Sequence, residues 1–200
     1  MQPFQTLNEL AAAVRTCSRC HLAQSRTKAV PGEGAEQAEI MLVGEAPGFH
    51  EDRQGRPFVG AAGRYLEELL ASIGLQRQEV YITNVVKCRP PRNRNPLAQE
   101  IAACRPYLEQ QITLIRPKLI VTLGRFSLQL FFPEAQISRV HGQPRKRGGI
   151  VYYPTYHPAA ALYQPRWKAL IAEDFQRIPA LLAQAASLPE DDPSPGGGRD

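Results

Sequence analysis

Four cysteines constrain this chain more than any other feature. Cys17 and Cys20 form a C-x2-C pair, 67 residues separate Cys20 from Cys88, and Cys88 and Cys104 are spaced C-x15-C. The four can meet only if folding returns residues 88–104 to the segment 17–20. The opening residues MQPFQTLNEL hold neither an early basic cluster nor an apolar stretch of the signal-peptide kind, so a reducing, cytoplasmic setting is expected. There, two disulfides are disfavoured and a thiolate-bound metal centre is the better reading. Four soft sulfur ligands suit structural zinc or an iron–sulfur cluster. The wide second spacing leans towards iron–sulfur without deciding the matter. Unrelated buried thiols are the plain alternative, because free cysteine packs as a small hydrophobe. Cys17-Ser18-Arg19-Cys20-His21 also spells the C-x-x-C-H of covalent haem attachment. That reading needs an oxidising compartment and leaves Cys88 and Cys104 unexplained. His21 is therefore expected at a helix start or on the surface beside the metal site.

The charge balance points to a polyanionic partner. The chain carries 24 basic and 19 acidic residues, a formal charge of +5. Residues 189–200, PEDDPSPGGGRD, hold four acids and one base, leaving 23 basic against 15 acidic residues, or +8, on the rest. A single domain over 1–188 is expected, followed by a disordered acidic Pro/Gly tail over 189–200. The basic body suits nucleic acid. No apolar run approaches the ~20 residues of a membrane span, so no membrane contact is expected.

Four β-prone apolar runs, Ile40–Val43, Val80–Val86, Leu119–Leu123 and Ile150–Tyr153, predict strands. Helical patterns lie at 5–15, 61–73, 97–115, 125–132 and 167–186. In the second, Leu66, Leu69, Leu70 and Ile73 fall at i, i+3, i+4 and i+7 before Gly74, an amphipathic stripe with a C-terminal stop. Strands alternating with helices predict an α/β fold: a largely parallel four-stranded sheet covered on both faces. Ligands of such sheets sit outside the carboxyl ends of the strands. Those ends read Gly44-Glu45-Ala46-Pro47-Gly48, Thr83-Asn84, Leu123-Gly124-Arg125 and Tyr156-His157-Pro158, with Phe58 in a nearby GRPFVG segment. The first loop is no P-loop, since it lacks the lysine and would put carboxylates where phosphates must sit.

GEAPGFHED, GRPFVG, YITNVVKCRPPRNRNP and HPAAAL, in this order, resemble the motifs of the family 4 uracil-DNA glycosylases. The similarity runs from about Cys17 to Gln164 and takes in all four cysteines. It implies a three-layer α/β/α fold, a 4Fe–4S cluster on Cys17, Cys20, Cys88 and Cys104, and hydrolysis of the N-glycosidic bond of uracil in DNA, single- or double-stranded. A cytoplasmic monomer of prokaryotic type, associated with the nucleoid through DNA, is expected.

The residue chemistry fits that implication. Uracil presents O4 and O2 acceptors and an N3–H donor, and a carboxamide offers one donor and one acceptor side. Asn84 can thus pair with O4 and N3–H together, whereas cytosine reverses both groups and leaves mismatches worth ~1–3 kcal/mol each. Phe58 can stack on a base that has left the duplex. Bond cleavage builds negative charge on O2, and a donor from His157 would stabilise it by ~3–4 kcal/mol. In the superfamily's best-known branch a water-orienting Asp stands where this chain has Ala46, so Glu45 is the first candidate for that role. Glu51 resembles the position that excludes the thymine methyl. Gly44, Ala46, Glu51, Phe58 and Asn84 form the expected base-binding set, with Glu45 and His157 catalytic.

Each residue also has a bland reading: Asn84 as a turn cap, Phe58 as core, His157 as a bonded structural histidine, the two glutamates as solvated. Leu162 resembles the wedge that fills the space of the flipped base, and a core leucine reads almost as well. Arg89, Arg92 and Arg94, with Lys87, are expected to meet DNA phosphates. Arg139, His141, Arg145, Lys146 and Arg147 form a second basic run. A relative that traps uracil-DNA covalently is disfavoured, because the stretch after Asn84 has Cys88 and no histidine. A DNA-binding module with a vestigial pocket is the non-enzymatic rival.

Overall fold

A computed structural model of the chain describes residues 3–191. Helix α1 (Leu7–Thr16) starts where the Thr6 hydroxyl accepts the Glu9 N–H, and buries Leu7, Leu10 and Val14. In chain order there follow α2 (Leu22–Ser25), β1 (Glu33–Gly34), β2 (Ile40–Gly44), α3 (Phe49–Gln54), α4 (Ala61–Ser72), β3 (Tyr81–Asn84) and α5 (Ala98–Ile115). Then come β4 (Leu119–Leu123), α6 (Arg125–Phe131), α7 (Ile137–Val140), β5 (Arg145–Arg147), β6 (Ile150–Thr155), α8 (Pro165–Gln176) and α9 (Ile178–Gln184).

The sheet has the order β1-β3-β2-β4-β6-β5. Its four central strands are parallel and correspond to the four expected runs. The sheet is nevertheless six-stranded, because β1 and β5 add antiparallel edges to β3 and β6. With two or three residues each, these edges are too short to show an alternating pattern. Ile40 and Leu42 of β2 pack with Leu66, Leu69 and Leu70 of α4 and with Ile171 and Phe175 of α8. Met41 and Val43 face the other way, towards Leu108 and Ile115 of α5 and Leu128 of α6. Helices on both faces of one sheet make three layers. A third cluster joins Leu10, Val14 and Leu22 to Cys88 and Tyr107, closing α1 and α2 onto α5.

Two boundaries differ from the sequence reading. The helix expected over 167–186 breaks into α8 and α9 at Pro179, whose missing N–H cannot continue the ladder. Residues 189–191, the first of the segment expected as a tail, are described and lie against the fold. Glu190 accepts the Gly148 and Gly149 N–H groups at 2.9 Å each, and the Asp191 N–H donates to Lys146 O at 2.7 Å. Lys146, from the second basic run, donates to Ala186 O and Leu188 O at 2.9 Å each. The end of the described chain thus lies along β5 and covers the sheet edge. Residues 192–200 of the expected tail fall outside the described residues.

One loop is held in a conformation that its sequence disfavours. Phe58 is buried at φ 50°, a region that bulky side chains rarely adopt. Arg77 clamps it, donating to the carbonyls of Pro57 and Phe58, the latter at 2.8 Å, and pairing with Glu33 at 2.5 Å. Gly63 of α4 gives the same loop room, since a Cβ there would sit 1.9 Å from Phe58 O. Gly63→Ala should therefore lower the urea unfolding free energy by about 1–3 kcal/mol through overpacking. An unchanged midpoint would show that the loop shifts freely.

Candidate active site and cysteine centre

The parallel register of β2 and β3 sets Gly44 level with Asn84. A Cβ at Gly44 would lie 2.4 Å from Asn84 Oδ1 and 2.7 Å from Phe58 Cζ, so only glycine lets both side chains approach the strand end. Asn84 is 2 % exposed, and its Oδ1 is buried without a hydrogen-bond partner. A buried orphan acceptor is destabilising unless a donor arrives. The pocket beside it is lined by Ala46, Gly48, Glu51, Phe58, Ala62, Asn84, His157 and Ala159 and encloses about 180 Å³. That is below the ~300–1,000 Å³ of pockets for drug-sized ligands and suits a single small ring.

His157 follows β6 and precedes a short 3-10 turn, Pro158–Leu162, which it caps. Its Nδ1 accepts the Ala159 N–H at 3.1 Å. Desolvation pushes the imidazole down to about 4, with the Glu51 carboxylate opposing. A neutral ring whose Nδ1 is an acceptor carries its proton on Nε2, which makes it a neutral donor. Its ring lies nearly parallel to that of Phe58, centroids 5.5 Å apart at 24°. Glu51 is spent on the loops: Oε2 accepts the Gly48 N–H at 3.1 Å, and Oε1 accepts the Val59 and Gly60 N–H groups at 2.9 Å each. Its carboxylate forms a fixed wall of the pocket. Glu45 does not line the pocket. It is half-buried, and desolvation raises its carboxyl against the opposing field of Arg125.

The four cysteines line one common pocket with Val14, Leu22 and Tyr107. Cys17 lies just beyond α1, Cys88 lies in the loop after β3, and Cys104 lies on α5. N–H groups already point at three of the sulfurs. Arg26 donates to Cys88 Sγ at 3.1 Å, the Lys87 peptide to Cys104 Sγ at 3.2 Å and the Arg19 peptide to Cys17 Sγ at 3.5 Å. Donors aimed at sulfur suit thiolate ligands, and the donor set fits an iron–sulfur group. As free thiols, Cys88 and Cys104 are pushed up by burial, Cys104 to about 11, so deprotonation must be driven by a bound metal. Among the described residues no group of three or more His, Cys, Asp or Glu is gathered to hold a single metal ion.

A family profile described as the uracil DNA glycosylase superfamily matches residues 31–178. The chain belongs to the uracil-DNA glycosylase superfamily. A type-4 uracil-DNA glycosylase of Sulfurisphaera tokodaii is 51% identical over 188 residues, spanning 89% of this chain and 86% of that protein. The type-4 enzymes of Archaeoglobus fulgidus and Thermotoga maritima are 47% and 42% identical, over 90% and 84% of this chain and 96% and 91% of theirs.

Within this superfamily member the basic loop after β3 divides in two. Arg89 stands over the exposed Phe49 ring, 5.1 Å from its centroid, and Arg53 makes a similar contact at 5.5 Å. Arg92 is exposed. Arg94, in contrast, is committed to Glu100, with Nη1 at 2.9 Å from Oε2 and Nη2 at 2.6 Å from Oε1. Glu100 is fully buried and also meets His21 at 2.7 Å. Lys87 lies beneath the surface at 1 % exposure, its ammonium bonded within the fold. Leu162 and Tyr163, beyond His157, are 50% and 84% exposed. In the second basic run, His141 is bonded to buried Asp174 at 3.1 Å. Arg77, Glu100 and the Ala159 N–H carry no signal in the sequence, because each acts through a partner defined only by the fold.

Nitrogen NMR of His157 should show the Nε2-protonated neutral ring at neutral pH, titrating near about 4. The folded-state value is depressed, so the unfolded chain binds this proton first, and stability should fall as pH drops from ~6.5 towards that midpoint. A midpoint near the ordinary imidazole value would show a solvated ring.

Proposed function

We propose that this chain is a monofunctional uracil-DNA glycosylase that hydrolyses the bond between uracil N1 and the sugar C1′, leaving an abasic site and starting base-excision repair. The observation that carries this is the buried, unpartnered Oδ1 of Asn84, a residue that lines a ring-sized pocket. Uracil N3–H supplies the missing donor, and the carboxamide NH2 pairs with O4. Phe58 stacks on the flipped base. Glu51, fixed by three backbone amides, stands beside C5 and excludes a methyl group. As C1′–N1 breaks, its electron pair passes into the uracil ring and charge collects on O2, where the neutral His157 donates from Nε2. Water adds to C1′ and releases a proton to Glu45, whose raised carboxyl suits a group that takes a proton.

Cys17, Cys20, Cys88 and Cys104 would hold a 4Fe–4S cluster, which would cross-link the N-terminal segment to the loop after β3 and to α5. Arg89 and Arg92 contact DNA phosphates, and Leu162 fills the space of the extruded base. The partner is uracil-containing DNA, single- or double-stranded, bound by a monomer in the cytoplasm. Among the described residues no helix is long and apolar enough to cross a membrane.

Multiple-turnover assay of an end-labelled oligonucleotide with one central uracil, followed by alkaline cleavage, tests the reading. Product well beyond one equivalent of protein is expected, and DNA binding without product would overturn it. His157→Gln should lower kcat by about 10²–10³-fold, the effect of losing one oxyanion donor, with little change in DNA affinity. Equal losses in both would assign His157 to folding. Cys88→Ala should abolish visible iron–sulfur absorption. A colourless wild-type protein containing zinc would remove the cluster.

A further inference from the structure

Lys87 is 1 % exposed, although buried lysines normally have a charged partner. Its ammonium meets three neutral acceptors instead: Thr83 Oγ1 at 2.6 Å, Asn84 O at 2.7 Å and Gln111 Oε1 at 2.7 Å. That matches the full donor complement of the group. The acceptors are themselves held. Gln111 Nε2 donates to Pro31 O at 2.7 Å, and the Thr83 hydroxyl donates to the same carbonyl at 2.9 Å.

The contact with Asn84 has a geometric consequence. The peptide joining Asn84 to Val85 is gripped on both sides, its carbonyl by Lys87 and its N–H by Gly44 O at 2.9 Å. Because a peptide is planar, fixing both sides sets the backbone angle at Asn84 and so the direction of its side chain. The peptide of Lys87 is anchored in turn. Its N–H donates to Cys104 Sγ at 3.2 Å, and its carbonyl accepts the Val30 N–H at 2.7 Å.

We propose that Lys87 is a positioning residue for base recognition, a buried strut from the cysteine centre to Asn84 that aims the carboxamide at uracil. Lys87 touches no substrate. Its action is through the Asn84 peptide, and the assignment rests on the glycosylase reading above.

The test compares wild type with Lys87→Met, which keeps the chain length and removes the donors, and Thr83→Val, which removes one acceptor and leaves lysine and cysteines intact. Fluorescence anisotropy gives Kd for DNA carrying one non-hydrolysable 2′-fluoro-deoxyuridine and for matched thymine DNA, alongside iron content and visible absorption. Iron and thymine-DNA affinity should be retained in Lys87→Met. Its preference for the uracil DNA should fall by about 10- to 100-fold, the scale of a misplaced recognition group, and by a smaller factor in Thr83→Val. Undiminished preference in an iron-replete Lys87→Met protein overturns the strut alone. No preference in the wild type overturns the glycosylase reading itself. If Lys87→Met loses iron or fails to fold, Thr83→Val decides: reduced preference at full iron content supports the strut, and unchanged preference overturns it.

Discussion

Gly44 stands opposite Asn84 in the parallel ladder of β2 and β3, and the pocket depends on the side chain it lacks. Glycine at a strand end leaves a notch, and here the notch is filled by the Asn84 carboxamide and the edge of Phe58. The ladder continues past the formal strands, with the Val85 and Val86 N–H groups donating to Gly44 O and Glu45 O. The floor of the site is therefore an extension of the sheet. This rigidity lets an unpartnered buried acceptor persist at Asn84 without the surrounding structure collapsing onto it.

Around that floor, strain and burial are compensated by backbone contacts from distant segments. Phe58 holds a positive φ, and such outliers persist where neighbouring structure over-determines them. Arg77 does so from a short 3-10 turn, Arg77–Glu79, and Gly63 from α4. Glu51 ties the start of α3 to residues 59–60, while Ala159 selects the tautomer of His157. On the cysteine side, Glu100 is buried with Arg94, His21 and the Leu97 N–H as partners. Removing one member of such a set leaves an uncompensated charge, so these groups stabilise a geometry more than they add net stability.

Much of the fold was legible. Near-continuous apolar runs mark the four parallel strands because both faces of each are covered, and the stripe of α4 follows its burial. The cysteine spacing forecast the return of residues 88–104 to the N-terminal segment, and the strand-end residues do converge. The edge strands β1 and β5 were not legible, being too short to carry a period. Pro179 marked the break between α8 and α9, but the apolar pattern on either side masked it. The loop after β3 was the hardest to read. Its four cations look alike in sequence, yet Lys87 is sealed by Gln111 on α5 and Arg94 by Glu100.

The sequence by itself determined the chemical inventory and its order: sulfur ligands, an acidic glycine-rich loop, an amide, an imidazole, and the strands and helices that carry them. Those follow from local periodicity and side-chain type. Only the tertiary structure decided which of these groups are free to act. It left Asn84 Oδ1 unpaired, placed the His157 proton, committed the Glu51 carboxylate and buried Lys87. The physical reason is that a polar group's role depends on its remaining partners and its exposure to water, and both are supplied by segments far away in the chain.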